Sequence, residues 1–97
     1  MEILTIGEKS FVGLRIPTET SAILLIKSAH GFLGCGYFSI ETADKLGERV
    51  AIVSGVQSFA DMLEAKVLRV SKQASAAGVT EGMSGRDALL RLAEKNQ

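Results

Sequence analysis

The sequence has no tryptophan, one proline, one histidine and one cysteine, and aromatic residues make up only 5% of it. A single cysteine, Cys35, cannot close a disulfide within the chain, so a disulfide scaffold is excluded and a reducing, cytoplasmic setting is expected. One histidine and one cysteine supply fewer soft ligands than a zinc site takes, and no metal is expected. Net charge is also missing, because 11 Lys and Arg residues balance 11 Asp and Glu. That removes the broad positive field that draws a protein to nucleic acid or to an anionic membrane. The few aromatics gather around Phe32, Tyr37 and Phe38 without the neighbouring Lys and Arg of a base-stacking platform, so nucleic acid is not expected as a partner. The longest apolar runs, 22–26 and 50–53, fall far short of the roughly 20 residues that span a bilayer. The first residues, Met1 to Thr5, lack the basic and apolar regions of a secretory signal. No membrane association is expected. The GxxxxGK phosphate loop, the GxGxxG fingerprint and the GxSxG elbow are all absent, so no cofactor is expected and a Ser-His-Asp triad has no support.

What is present describes a folded domain. The chain has 97 residues, 46% of them apolar and 23% charged, enough for one hydrophobic core and too little for two. A single domain over 1–97 is expected. Residues 2–6 and 11–16 are rich in β-branched residues and flank a short polar connection, which reads as an antiparallel hairpin. After Pro17, the nearly continuous apolar run 22–27 predicts a strand covered on both faces. A fourth strand is predicted over 32–39, pairing back with the third, and its glycines at 34 and 36 imply a bulge, a sharp twist or the close approach of another group. Ile40, Ala43 and Leu46 then share a helical face, with Gly47 as the stop. Val50 to Val53 predicts a buried strand, and Ser58 caps a helix carrying Phe59, Met62 and Leu63. Residues 67–70 predict a further strand, joined to the previous one by a possible parallel crossover. Residues 74–77 predict a short helix ended by Gly78. Ser84 caps the last helix, with Leu89, Leu92 and Ala93 on its apolar stripe and Arg91 and Lys95 near its negative dipole end. The fold class is α+β: a mixed, mostly antiparallel sheet of five or six strands, short helices packed mainly on one face, and a helical C-terminus.

Three groups of residues could carry chemistry. His30 and Cys35 stand five positions apart beside a turn, where an imidazole could activate a thiol as a catalytic nucleophile; equally, Cys35 could be a small buried hydrophobe and His30 a turn residue. Ser84, Gly85 and Arg86 open a helix, where free N–H groups, the positive dipole end and a guanidinium together suit a carboxylate or phosphate; the alternative is a plain cap with an ion-paired arginine. Residues 53–58 run from a strand end through Gly55 into a helix start, a place where ligands gather at the carboxyl edge of parallel strands.

His30-Gly31, Cys35-Gly36, Gly55-Val56 before Ser58, and Gly82-Met83-Ser84-Gly85-Arg86 with Ala88-Leu89-Leu90 together resemble the YunC-like family of small bacterial and archaeal proteins, a domain of unknown function. The likeness extends over most of the chain after residue 25 and implies a fold without an activity. Two functions compete. One is a binder of an anionic metabolite, or a small enzyme, whose pocket joins Cys35, His30, Gly55 and the Ser84–Arg86 helix start. The other is a non-catalytic module for self-association or protein interaction. A homo-oligomer, dimer or trimer, is expected because apolar strands need cover that few short helices can supply.

Overall fold

A computed structural model describes residues 1–94; Lys95, placed by the sequence in the last helix, lies outside them. The chain forms β1 (Glu2–Ile6), β2 (Lys9–Pro17), β3 (Ala22–Lys27), β4 (Phe32–Gly34), α1 (Ile40–Leu46), β5 (Val50–Ile52), α2 (Phe59–Glu64), β6 (Arg69–Val70), α3 (Lys72–Ala76) and α4 (Gly85–Leu92). The strands make one six-stranded sheet in sequence order, β1-β2-β3-β4-β5-β6. Every neighbouring pair is antiparallel except β4 and β5, which run parallel. This is the mixed, mostly antiparallel α+β sheet that the sequence predicts.

The parallel pair falls elsewhere than expected. Residues 50–53 and 67–70 were the candidates for a parallel crossover, yet β6 lies antiparallel to β5. After α2 the chain doubles back along β5, with the Leu68 N–H donating to Ile52 O and the Ser71 N–H to Val50 O. The crossover helix is α1 instead, between β4 and β5. It is capped by Ser39, whose hydroxyl accepts the Thr42 N–H, and ends at Gly47 with φ 74°. The helix expected over 74–77 starts earlier, at Lys72, because Ser71 caps it.

Strand β4 is also shorter than expected. The Phe38 N–H turns back to Cys35 O at 3.2 Å, which takes residues 35–39 out of the sheet. The Phe38 ring then folds over Gly34, where a β-carbon would come within 2.6 Å of it, and meets Phe32 edge to face at 5.3 Å. Glycine at position 34 thus admits an aromatic side chain of the same molecule.

The two faces of the sheet differ. Phe11, Leu24, Ile26, Leu33, Ala51 and Val53 point to one side and are buried with Met62, Val67, Ala74, Ala88, Leu89 and Leu92 in one core. On this side Phe59 of α2 lies over Gly13, and α4 packs against α2 and β4. Each large aliphatic side chain buried here contributes about 1.5–3 kcal/mol. On the other side α1, through Ile40 and Ala43, and Phe38 from the turn before it cover only Phe32, Val50 and Ile52. Val12, Leu14, Ile23 and Leu25 of the central strands are half-buried, and Ile3 and Ile16 are 63% and 56% exposed. Strand β3 is therefore covered on one face, not on both.

Candidate functional site

The parallel strands β4 and β5 both leave the sheet at the same edge. Cys35, Gly36 and Tyr37 follow one, and Ser54, Gly55, Val56 and Gln57 follow the other. With Ser21 and Ala22 at the start of β3, these segments line a cleft of about 370 Å³. The Gly55 backbone, at φ 70°, turns the chain sharply from β5 towards α2 in a conformation that side-chain-bearing residues seldom adopt. Ser58 accepts the Asp61 N–H, and the Asp61 carboxylate accepts the Gln57 N–H at 3.0 Å, which fixes the far wall. The cleft walls carry hydroxyl, amide and thiol groups and no charged side chain. A second groove shares Ser21, Ala22, Val56 and Gln57 with it and adds Arg15 and Glu19 to the lining.

Cys35 is 5% exposed. Its sulfur accepts the Leu24 N–H at 3.3 Å, while its own N–H donates to Leu24 O at 3.1 Å, so the thiol is held firmly against β3. His30 stands at the other end of β4, with its N–H donating to Leu92 O at the end of α4. Five residues of near-extended chain separate the two by roughly 15 Å, at about 3.3 Å per residue. Within one molecule the imidazole does not reach the thiol. His30 instead lines a different cleft with Lys27, Glu48 and Arg49.

The Ser84–Arg86 helix start lines neither cleft. Ser84 accepts the Asp87 N–H at 3.1 Å, and the Gly85 N–H donates to Ala65 O at 2.9 Å, so two of the N–H groups at this helix end already have partners. Gly85 is buried, and a β-carbon there would collide with the carbonyl of Met62. The glycine lets α4 seat against α2 and does not open the backbone to a ligand; Arg86 is exposed. Of the predicted residues, then, the structure brings Cys35 and Gly55 into one cleft and leaves His30 and the Ser84–Arg86 group apart from it. Among the described residues no group of three His, Cys, Asp or Glu side chains is placed to hold a metal ion, and no helix is long and apolar enough to cross a membrane.

Gln57 lies within the 53–58 segment that the sequence marks, whereas Ser21, Ala22 and Tyr37 are not marked as site residues. Nothing in their spacing marks them, because the turn at 35–38 and the return of β3 are what collect them. The segments that build the cleft from β4 onward fall within residues 34–92, which match the family model described as Domain of unknown function (DUF1805). The chain belongs to this family. The DUF1805 match includes Cys35, Gly55 and Ser84–Arg86 and leaves out His30. The chain is 27% identical over 93 residues to the uncharacterized protein YunC of Bacillus subtilis (strain 168), covering 92% of each, which bears out the YunC-like resemblance. It also superposes on the crystal structure of a protein of unknown function, TA1206 from Thermoplasma acidophilum, with a TM-score of 0.89 and 32% identity, covering 94% of this chain and 89% of that one. The DUF1805 fold is thus shared nearly end to end, and no specific function comes with it.

Proposed function

We propose that this domain binds a small polar molecule in the cleft between Cys35–Tyr37 and Ser54–Gln57, with an acidic group of the ligand turned towards Arg15. The observation that carries this reading is the convergence of both exits of the parallel strand pair on one concavity, the position at which open sheets with parallel strands collect ligands. Uncharged donors and acceptors in the walls suit a polar body, and in the adjoining groove, which Glu19 also lines, the Arg15 guanidinium offers a fork of donors to an acidic group. Cys35 serves as a small wall residue held by Leu24, and its separation from His30 favours binding over thiol catalysis. A buried, unpaired thiol suits a cytoplasmic setting.

The test is thermal melting against a panel of small carboxylic acids, phosphate esters and neutral metabolites. Ala22 lines both grooves, and Ala22→Leu should fill them. At a concentration a hundred times its Kd, a ligand should stabilise the wild type by about 2.7 kcal/mol. The variant, folded by circular dichroism, should lose that response. A panel that shifts neither protein, or shifts both equally, counts against the site.

The bare half of the sheet favours a second reading, self-association as a dimer or trimer. Val12, Leu14, Ile23 and Leu25 form a contiguous aliphatic surface in the register of β2 and β3, flanked by Ile3 and Ile16. A second copy laid across it would supply the cover that α1 gives only to β4 and β5.

A further inference from the structure

We propose that the cleft at the opposite ends of β4 and β5 is a second binding site, which takes a doubly charged oxyanion, phosphate or a phosphate ester, between Lys27, His30 and Arg49. These basic residues come from three segments: the last residue of β3, the β3–β4 turn and the residue before β5. The sheet brings them together. Lys27 pairs with Phe32 and Phe32 with Val50, while the Phe32 N–H donates to Arg49 O at 3.0 Å. Lys27 and Arg49 thus stand about two strand spacings apart, roughly 10 Å, Lys27 on the face of Phe32 and Val50 and Arg49 on the other, and both line the cleft where the strands end, so an ion there is reached from the two sides. The cleft measures about 380 Å³, with Phe32 and the turn around His30 also lining it.

Among the described residues, the side-chain hydrogen bonds of Lys27 and Arg49 go to carbonyls and not to carboxylates. Lys27 Nζ donates to Ser28 O at 3.1 Å, and Arg49 Nη1 donates to Glu94 O at 3.4 Å; both acceptors are backbone carbonyls. The groups facing His30 are Lys27 from β3, Glu48 and Arg49 ahead of β5, and the Leu92 carbonyl, with Glu94 beyond Arg49. Lys27 and Arg49 outnumber Glu48 in the cleft, and the His30 imidazole stands beside them as a further hydrogen-bonding group. A guanidinium presents a fork of donors to phosphate oxygens and an ammonium adds a point charge. The dianion therefore binds more tightly than a monocarboxylate. This site stands apart from the Cys35 cleft and does not depend on it.

The chain's only histidine makes the test direct. The ring protons of His30 are followed by NMR through a pH titration in sodium phosphate, sodium acetate and sodium chloride at equal ionic strength. Phosphate should move the imidazole titration to higher pH than chloride does, and acetate should move it less. Arg49→Gln or Lys27→Gln should weaken the phosphate affinity about tenfold, about 1.4 kcal/mol. Lys27 is exposed and at a strand end, so its variant keeps the test available should Arg49→Gln disturb the fold. Ala22→Leu should leave the phosphate response intact, which separates this site from the Cys35 cleft. A phosphate response no larger than that of chloride or acetate, or one that persists unchanged in both charge variants, overturns the proposal.

Discussion

The two faces of one sheet show how differently the same strands are used. Alternate residues of β2 and β3 go to opposite sides, so Leu24 and Ile26 are fully buried in the core with residues of α2 and α4 while Ile23 and Leu25, which alternate with them, remain half-buried. The residue types are nearly identical on both sides. What differs is the supply of helices: three elements after β5 fold onto one face, and a single seven-residue helix, α1, is left for the other. Composition therefore reports that a strand is apolar, and only topology decides what covers it.

The sharpest way to break this contrast is on the covered face. Gly85 touches the Met62 carbonyl where α4 crosses α2, and Leu33 packs on the same glycine from β4. Neither neighbour can withdraw cheaply, because one is helix backbone and the other a buried core side chain. Gly85→Ala should cost about 3 kcal/mol or more, at the upper end of overpacking losses. Urea unfolding measures it, and a loss under about 1 kcal/mol would mean that the two helices slide apart more easily than their packing indicates.

The bare face should respond differently. Leu14→Ser removes a half-buried aliphatic group from the surface that Leu25 and Ile23 share. If a second copy covers this surface, light scattering should show the assembly dissociating at micromolar protein, with a loss of about 1–2 kcal/mol for the monomer unit itself. An unchanged mass in wild type and variant, equal to one chain, would leave the aliphatic surface solvent-facing and remove the second reading.

How far the sequence can be read follows from the same contrast. The hairpin, the α1 stop at Gly47 and the caps at Ser58 and Ser84 are set by neighbours a few positions away, and they occur where the local pattern places them. The direction of β6 depends on how the chain returns after α2, a long-range matter that period and propensity do not encode. Ser71 shows the same limit. It is fully buried, accepts the N–H groups of Val50 and Ala74, and donates to Glu48 O, so one hydroxyl ties α3 to β5. In the sequence it is one serine among several after a short strand. For the site, Gly55 and Cys35 were visible as a strand exit and a lone thiol. The link between Cys35 and His30 was inferred from spacing, and β4 runs straight between them.

The smallest expected effect tests the reading of α4. Two residues at its start look alike in sequence as parts of one anion site, yet the structure gives them different work. Ser84 accepts the Asp87 N–H, so Ser84→Ala leaves that donor without its partner and should cost about 1 kcal/mol, the usual loss for a removed cap. Arg86 is exposed, and the N–H of Gly85 beside it is already held by Ala65. Arg86→Ala should therefore change stability by less than about 0.5 kcal/mol, as for an ordinary surface substitution. The pair is best measured by urea unfolding, first in chloride and then in phosphate. If α4 is seated purely by packing and capping, the difference between the two variants stays the same in both salts. If wild type gains stability in phosphate and Arg86→Ala alone loses that gain, the guanidinium holds an anion at the helix start, and the sequence's original grouping of Ser84, Gly85 and Arg86 regains its meaning.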